Sequence, residues 1–177
     1  MVRFAAVALT TTALLMSTGC KEKQQPRAQT LADEAIGLAS MIHTADPRSE
    51  PQLLSGFYGV ENNSWRWAGP RFSVNLRPPA NAAQDGATLL LKFTIPDVVI
   101  NQLKSMTLSS TVNGTKLEPE TYTRSGEQSY SRDVPASLLH GNAARVDFSF
   151  DKALPPSPTE RRDLAAIVTI VGFEARQ

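Results

Sequence analysis

A stretch of aromatic and charged side chains between residues 58 and 71 has the composition of a sugar-binding surface. From residue 56 it reads GFYGVENNSWRWAGPRF and contains both tryptophans of the chain. Aromatic rings stack on the apolar face of a pyranose, while arginine and glutamate side chains form hydrogen bonds with its hydroxyl groups. The candidate ligand-binding residues are Tyr58, Glu61, Trp65, Arg66, Trp67 and Arg71.

Two interpretations of the tryptophans stay open at this point. Trp65 and Trp67 are two residues apart, so in a strand both rings lie on the same face and Arg66 lies on the other. They form either a platform for a ligand or the closure of a hydrophobic core, with Arg66 over a ring. Only 7% of the chain is aromatic, which means that a small core would need both rings. Gly69-Pro70 is expected to turn the chain into the next strand.

Patterns typical of catalysis or metal binding are missing from the sequence. There is no G-x-S-x-G, H-E-x-x-H or phosphate-binding glycine loop. His43 and His140 have no partner at metal-ligand spacing, and no D-x-D-x-D run supports calcium. A glycosidase needs two placed carboxylates. The available carboxylates fall at turns or on wet strand faces: Glu61, Asp85, Glu118, Glu120, Asp133 and Asp151. The sequence therefore predicts a non-enzyme with no metal and no cofactor.

The first nineteen residues, MVRFAAVALTTTALLMSTG, predict a signal peptide. Arg3 is followed by an apolar stretch of 13 residues, from Phe4 to Met16. A bilayer span needs about 20 apolar residues, so this stretch fits a secretory signal instead. It ends at Cys20, and LLMSTGC resembles the lipobox of bacterial lipoproteins, with Ser17 where leucine is usual.

The lipobox resemblance implies that Cys20 is lipidated and anchors the protein in a membrane. Two or three acyl chains give a stable anchor, because each buried methylene contributes about 0.8 kcal/mol. Lys21 follows the cysteine in place of the aspartate that signals inner-membrane retention in enteric bacteria, which favours the outer membrane. The alternative is a plain secretory signal with an incidental cysteine. Since Cys20 is the only cysteine, the sequence excludes an internal disulfide and a cysteine-based zinc site.

Composition is that of an ordinary globular protein, and the charge is balanced. The 177 residues are 41% hydrophobic and 20% charged, with a formal net charge of +1. Without Arg3, the basic residues fall from 18 to 17 and equal the 17 acidic ones. No overall field attracts a polyanion, so nucleic acid is not an expected partner.

Residues 20–52 are expected to form a lipidated tether and a short amphipathic helix. KEKQQPRAQ is polar and broken by proline. Leu31, Ala35, Leu38 and Ile42 then follow with helical spacing up to Pro47. This helix either packs on the domain, binds a partner or serves as a spacer.

From about Leu53 the apolar spacing changes to every second residue. RFSVNL, ATLLLKFTI and ARVDFSF are typical of strands with one buried and one wet face. Asn113-Gly114 predicts a hairpin with a two-residue turn. DLAAIVTIVGFE is apolar on both faces and predicts a central strand. IPDVVINQLK fits either a helical turn or a strand. Eight or nine strands without a βαβ pattern predict an antiparallel β-sandwich of jelly-roll type over residues 53–175.

The first and last parts of this region resemble jelly-roll modules of bacterial lipoproteins and polysaccharide-handling proteins. The resemblance lies in GFYGVENNSWRWAGPRFSVNL and in DLAAIVTIVGFE, where Ala165 stands in place of the usual glycine. Such modules are similar in fold to carbohydrate-binding domains. This implies a lipid-anchored envelope protein, with a non-catalytic sandwich that binds a glycan or an envelope partner. The alternative is a structural or assembly lipoprotein that docks on a protein complex and binds no sugar; a hydrolase comes third.

Overall fold

The computed structural model describes residues 37–176, and in this part of the chain ten strands pair antiparallel throughout. The strands are β1 (Met41–His43), β2 (Leu53–Glu61), β3 (Trp65–Leu76), β4 (Ala87–Ile95), β5 (Met106–Val112), β6 (Thr115–Lys116), β7 (Glu120–Tyr122), β8 (Gly126–Val134), β9 (Ala144–Phe150) and β10 (Ala166–Ala175). The helices are α1 (Ala82–Asp85) and α2 (Asp97–Leu103), with 3₁₀ turns at Pro47–Gln52 and Ala136–Leu138.

Strand β3 belongs to two sheets. Its residues 66–68 pair with β10, whereas its residues 71–76 pair with β9. The change of partner takes place at Gly69-Pro70, where a turn between two strands was expected. These two residues instead bend one long strand from the first sheet into the second, as at the corners of packed sheets.

The two sheets interleave in the order of a jelly roll. In the first sheet the first part of β3 is followed by β10, β4 and β8, and β1 also pairs with β10. In the second sheet the rest of β3 is followed by β9 and β5, with β6 and β7 beside β5. Strand β2 lies beside β3 along both of its parts. The ring centres of Phe93 on β4 and Phe150 on β9 are 5.6 Å apart, so the two sheets pack face to face. The predicted antiparallel jelly-roll sandwich is confirmed.

Alternating side chains build the core between the sheets. The buried positions include those expected from the alternating patterns: Phe72, Val74, Leu76, Leu89, Leu91, Phe93, Ile95, Val146, Phe148 and Phe150. Strand β10 lies centrally, between β4 on one side and β1 and β3 on the other, as its apolar sequence predicted. The polar residues between these positions face outward, and they supply the groove described below.

The segment before residue 53 is part of the sandwich, which corrects the predicted helix. Met41–His43 pairs with β10, and the buried Ile42 belongs to the hydrophobic core. Tertiary pairing has overridden the helical spacing of Leu38 and Ile42. Leu31 and Ala35, the signal peptide and Cys20 lie outside the described residues. Within residues 37–176, the β-structure therefore begins at residue 41 rather than at 53.

Local turn chemistry follows the sequence. Asn113 and Gly114 have φ of 48° and 85°, the left-handed values that a two-residue hairpin turn requires, and they join β5 to β6. The ambiguous IPDVVINQLK segment is helical over Asp97–Leu103, with Val99 and Ile100 buried. Within residues 37–176, no helix is both long and apolar enough to cross a membrane.

Candidate functional site

The two tryptophans lie on one face at the start of β3 and are half-buried. Trp67 is the cross-strand partner of Ile167 and packs against the hydrophobic core. The indole Nε1 of Trp65 is buried and has no hydrogen-bond partner among the described residues. The position of Trp67 fits the interpretation in which its ring closes one end of the core, whereas Trp65 is not among the residues that pack against that core. A ligand role for the two rings stays a prediction.

Arg66, on the opposite face of the strand, is a buried structural residue. It is only 8% exposed. Its Nε donates to the carbonyl oxygen of Thr44 at 2.7 Å, its Nη1 donates to that of Tyr58 at 3.1 Å, and its Nη2 pairs with Glu50. These contacts engage all three guanidinium nitrogens inside the protein, and a ligand role for Arg66 stays a prediction.

Tyr58 and Glu61 hold a neighbouring loop. Arg162 donates from Nη1 to Glu61 Oε1 at 2.7 Å, and its guanidinium carbon lies 5.2 Å from the centre of the Tyr58 ring. The Tyr58 hydroxyl donates to the carbonyl oxygen of Asp163 at 3.1 Å. Arg162 also binds Glu160 and lowers the pKa of that carboxyl from 4.5 to about 2. The predicted polar groups of this region thus fasten residues 162 and 163 to β2.

Arg71 is separated from the other five predicted residues. It is exposed on the outward face of the second sheet, beyond the bend in β3, and it lines a groove of about 670 Å³. Five serines line the same groove, which we call the serine-rich groove: Ser55, Ser73, Ser109, Ser110 and Ser149. Neither tryptophan lines it. The structure therefore divides the predicted site between two places.

Cross-strand pairing arranges the groove residues in two rows. The short row consists of Arg71, Ser149 and Ser109, on β3, β9 and β5. The long row runs across five strands and consists of Ser55, Ser73, Asp147, Thr111 and Lys116. Paired residues have their side chains on the same face of a sheet. The sheet therefore presents hydroxyl and charged groups on neighbouring strands spaced by about 4.8 Å.

Asp147 is the centre of the hydrogen-bond network in the groove. Its Oδ1 accepts from Arg145 Nε at 2.9 Å and from the Ser73 hydroxyl at 2.8 Å. Its Oδ2 faces the Thr111 hydroxyl at 3.5 Å, and Ser55 lies 3.1 Å from Ser73, oxygen to oxygen. Arg145, with smaller contributions from Ser73 and Thr111, holds the pKa of the Asp147 carboxyl below its usual value. The carboxylate stays ionised at neutral pH and acts as a fixed acceptor.

Aromatic side chains of the core form the floor of the groove. Phe72 and Phe148 stack with ring centres 4.9 Å apart beneath it, as part of the core. Leu117 and Pro119, after the β5–β6 hairpin, add apolar surface to its lining. Polar groups carried by strands that pack on a core are held in place before a ligand arrives.

Metal binding finds no support within residues 37–176. No group of three or more histidine, cysteine, aspartate or glutamate side chains there could hold an ion.

Sequence reasoning missed most of the groove, although the signal was present. Arg71, Ser73, Arg145, Asp147 and Ser149 occupy the outward positions of RFSVNL and ARVDFSF. Each strand alone looks like an ordinary wet face. The shared feature is visible only once β3, β9 and β5 are known to be neighbours, because these strands are far apart in the chain.

No protein-family model matches the chain, and no curated protein matches it either. Among solved structures, the CBM36-1 domain of a multidomain xylanase from the hindgut metagenome of Trinervitermes trinervoides is 13% identical. That match has a TM-score of 0.43 and covers 77% of this chain and 97% of the other.

Two further solved structures are similar over parts of longer chains. An acetyl xylan esterase from the rumen bacterium Butyrivibrio proteoclasticus is 13% identical with a TM-score of 0.45, over 79% of this chain and 34% of the esterase. The CBM51-2 and INT domains of Clostridium perfringens ZmpB, in complex with GlcNAc, are 15% identical with a TM-score of 0.33, over 77% of this chain and 29% of the other. All three TM-scores are below 0.5, so the fold assignment depends on the strand order and pairing given above.

Proposed function

We propose that this chain is a lipid-anchored cell-envelope protein whose β-sandwich binds a glycan in the serine-rich groove without catalysing a reaction. The observation that carries the proposal is the alignment of hydroxyl and charged side chains in two rows across five neighbouring strands. Such groups donate and accept hydrogen bonds, as sugar hydroxyl groups do. A groove of about 670 Å³ has room for more than a single small ion.

The proposal of binding without hydrolysis is based on the number and ionisation of the carboxylates in the groove. Among the described residues that line it, Asp147 is the only carboxylate. A typical glycosidase uses two, one of them kept protonated as a general acid. Arg145 lowers the pKa of Asp147 and so favours its ionised form, whereas a general acid must stay protonated. Asp147 is therefore suited to accept a hydrogen bond from a hydroxyl group rather than to donate a proton.

Calorimetric titration of the full chain, purified in a non-ionic detergent, against a panel of envelope and plant glycans tests this proposal. We expect one glycan class to bind, and Asp147→Ala to weaken its binding at least about tenfold, since hydrogen bonds to charged groups contribute about 1.5–3 kcal/mol. Glu127→Ala is the matched control, because Glu127 is an exposed carboxylate on β8 of the first sheet. Equal affinities of Asp147→Ala and the unaltered chain would exclude the groove as the binding site.

The anchor and location are proposed from the sequence, because Cys20 lies outside the described residues. Metabolic labelling with a fatty acid should modify the protein, and Cys20→Ser should abolish the label and release the protein from the membrane fraction. Labelling that survives in Cys20→Ser would contradict the proposed anchor.

A second candidate function is docking on a protein complex through the edge strand β2. Leu54 and Val60 on this strand are 45% and 39% exposed, which is high for large apolar side chains. The pairing of β2 with β3 shows three irregularities of register, however. Bulges of this kind disfavour the addition of a further strand. Leu54→Ser with Val60→Ser separates the two functions: it should leave glycan binding intact, whereas it would abolish capture of a protein partner.

A further inference from the structure

The charges of the serine-rich groove do not balance. Three cations line it, Arg71, Lys116 and Arg145, against the single carboxylate of Asp147. Arg145 is already committed, because its Nη2 lies 2.8 Å from Asp147 Oδ1. The side chains of Arg71 and Lys116 have no hydrogen-bond or ion-pair partner among residues 37–176. Two positive charges therefore remain in the groove without a neutralising partner in the described part of the chain.

This excess is local, since the whole chain carries a formal net charge of only +1. Charges of one sign that line a groove raise the local concentration of an oppositely charged ligand. Arginine also binds carboxylates with two parallel hydrogen bonds, which adds geometric selectivity. The groove is therefore suited to an anion.

The spacing of the two cations favours an extended ligand over a single ion. Arg71 lies on β3 and Lys116 on β6, and β9 and β5 separate these strands. Three strand spacings correspond to about 14 Å. The hydroxyl groups of Ser109, Ser149 and Thr111 lie on the strands between them. A chain of sugar units with repeated carboxylates spans that distance, and its hydroxyl groups meet those on the strands between the two cations.

We propose that the ligand of the serine-rich groove is an acidic glycan, an oligouronate whose carboxylates pair with Arg71 and Lys116 while its hydroxyl groups bind the serines and Asp147. The inference rests on the proposed function and names its ligand class. Hydroxyl-rich rows favour a glycan over an acidic peptide, which has few hydroxyl groups to offer. The carboxylate of Asp147, in turn, is an acceptor for sugar hydroxyl groups.

The test compares oligouronates (galacturonate, mannuronate and guluronate) with their methyl esters, which keep the ring hydroxyl groups but lose the charge. With the full chain in non-ionic detergent, we expect an acid form to bind at least tenfold more tightly than its ester. Arg71→Gln and Lys116→Gln should each weaken binding of the acid severalfold, and added salt should weaken it too. Binding of the ester should not change.

Lys92→Gln is the matched control, because Lys92 is exposed on β4 of the first sheet. Unchanged melting temperatures in all three variants establish that the fold is intact. Equal affinity for acid and ester, or binding of neutral glycans alone, would overturn the acidic ligand and leave glycan binding standing. If no glycan of either kind binds, both proposals fail. If polyglutamate binds as tightly as an oligouronate, charge alone is recognised and the glycan assignment fails.

Discussion

At the scale of single residues, Arg66 connects three separate parts of the sandwich. Its guanidinium binds the carbonyl oxygens of Thr44 and Tyr58 and the carboxylate of Glu50. Thr44 directly follows β1, Glu50 lies in the first 3₁₀ turn, and Tyr58 lies on β2. A buried charge of this kind is stable only while its hydrogen bonds are made. The contacts therefore matter more for the fold than for a ligand.

Replacing Arg66 by alanine should destabilise the protein strongly. The two carbonyl oxygens would lose their donor within the protein, and we expect the free energy of unfolding to fall by about 3 kcal/mol. Glu50→Gln should cost less than about 1 kcal/mol, because the Glu50 side chain is 63% exposed and the guanidinium keeps its two carbonyl partners. Urea denaturation measures both. A loss below 0.5 kcal/mol for Arg66→Ala, on the order of a neutral surface substitution, would contradict this role.

The sequence placed Arg66 on the correct face of its strand but did not indicate its partners. The two-residue spacing of Trp65 and Trp67 put Arg66 on the opposite face of a strand, and the structure agrees. What lies over that opposite face is the segment from Thr44 to Glu50, which the sequence had assigned to a tether and helix. A strand of three residues, such as β1, is too short to show an alternating pattern. Its pairing with β10 depends on contacts more than a hundred residues apart.

At the scale of elements, β2 approaches its partner strand β3 most closely at Gly56, beside the groove residues Ser55 and Arg71. Gly56 has a φ of 78°, and a Cβ atom there would lie 2.0 Å from the carbonyl oxygen of Arg71. Only glycine permits both the left-handed backbone and this approach. Three residues later, Gly59 has nothing within 4 Å of a Cβ atom. The two glycines of one strand thus face opposite steric conditions.

Gly56→Ala should therefore be far more harmful than Gly59→Ala. The left-handed backbone alone costs about 1–2 kcal/mol in an L-residue. The contact with Arg71 adds to this, so we expect a loss of at least about 2 kcal/mol in thermal or urea unfolding. Gly59→Ala should change stability by less than about 0.5 kcal/mol. Similar losses in the two variants would mean that β2 does not approach β3 as closely as described.

Strand β8 forms an edge of the first sheet, and side chains cover this edge. The sequence did not indicate this cover. Strand β8 pairs with β4 without a break from Gly126 to Val134. The Tyr122 hydroxyl donates to the carbonyl oxygen of Ser129, and burial raises the pKa of this phenol. The guanidinium of Arg132 donates to the backbone carbonyl oxygens of Glu118, Pro119 and Ser131. Occupied carbonyl groups make this edge a poor template for another strand.

At the scale of the whole molecule, pattern and composition predicted the layers but not the site. Alternation is a local property, and it identified the buried faces of β3, β4 and β9 and the central position of β10. The groove depends on which strands are neighbours, and β3, β9 and β5 come together from distant parts of the chain. Only Arg71 belongs both to the predicted set and to the groove.

Ion pairs with arginine are spread over the surface of the molecule, and they predict its behaviour in acid. Within the described residues, four carboxyl groups have a pKa below the usual value, each mainly because of one arginine: Asp46 with Arg48, Asp133 with Arg176, Asp147 with Arg145, and Glu160 with Arg162. A folded-state pKa below the unfolded value means that the stabilisation is complete above about pH 4.5. It is lost as the pH falls toward the folded values, which for Glu160 is about 2.

The melting temperature should therefore be constant from pH 7 to about 5 and fall between pH 4.5 and 2. The pairs are largely exposed, so the fall should be modest and smaller at high salt. Glu160→Gln isolates one pair, because glutamine does not titrate while the loop and its Arg162 remain. This variant should be less stable than the unaltered chain at pH 7, and the difference should shrink toward zero near pH 2. A difference that is the same at both pH values would show that the carboxylate of Glu160 does not stabilise the loop through Arg162.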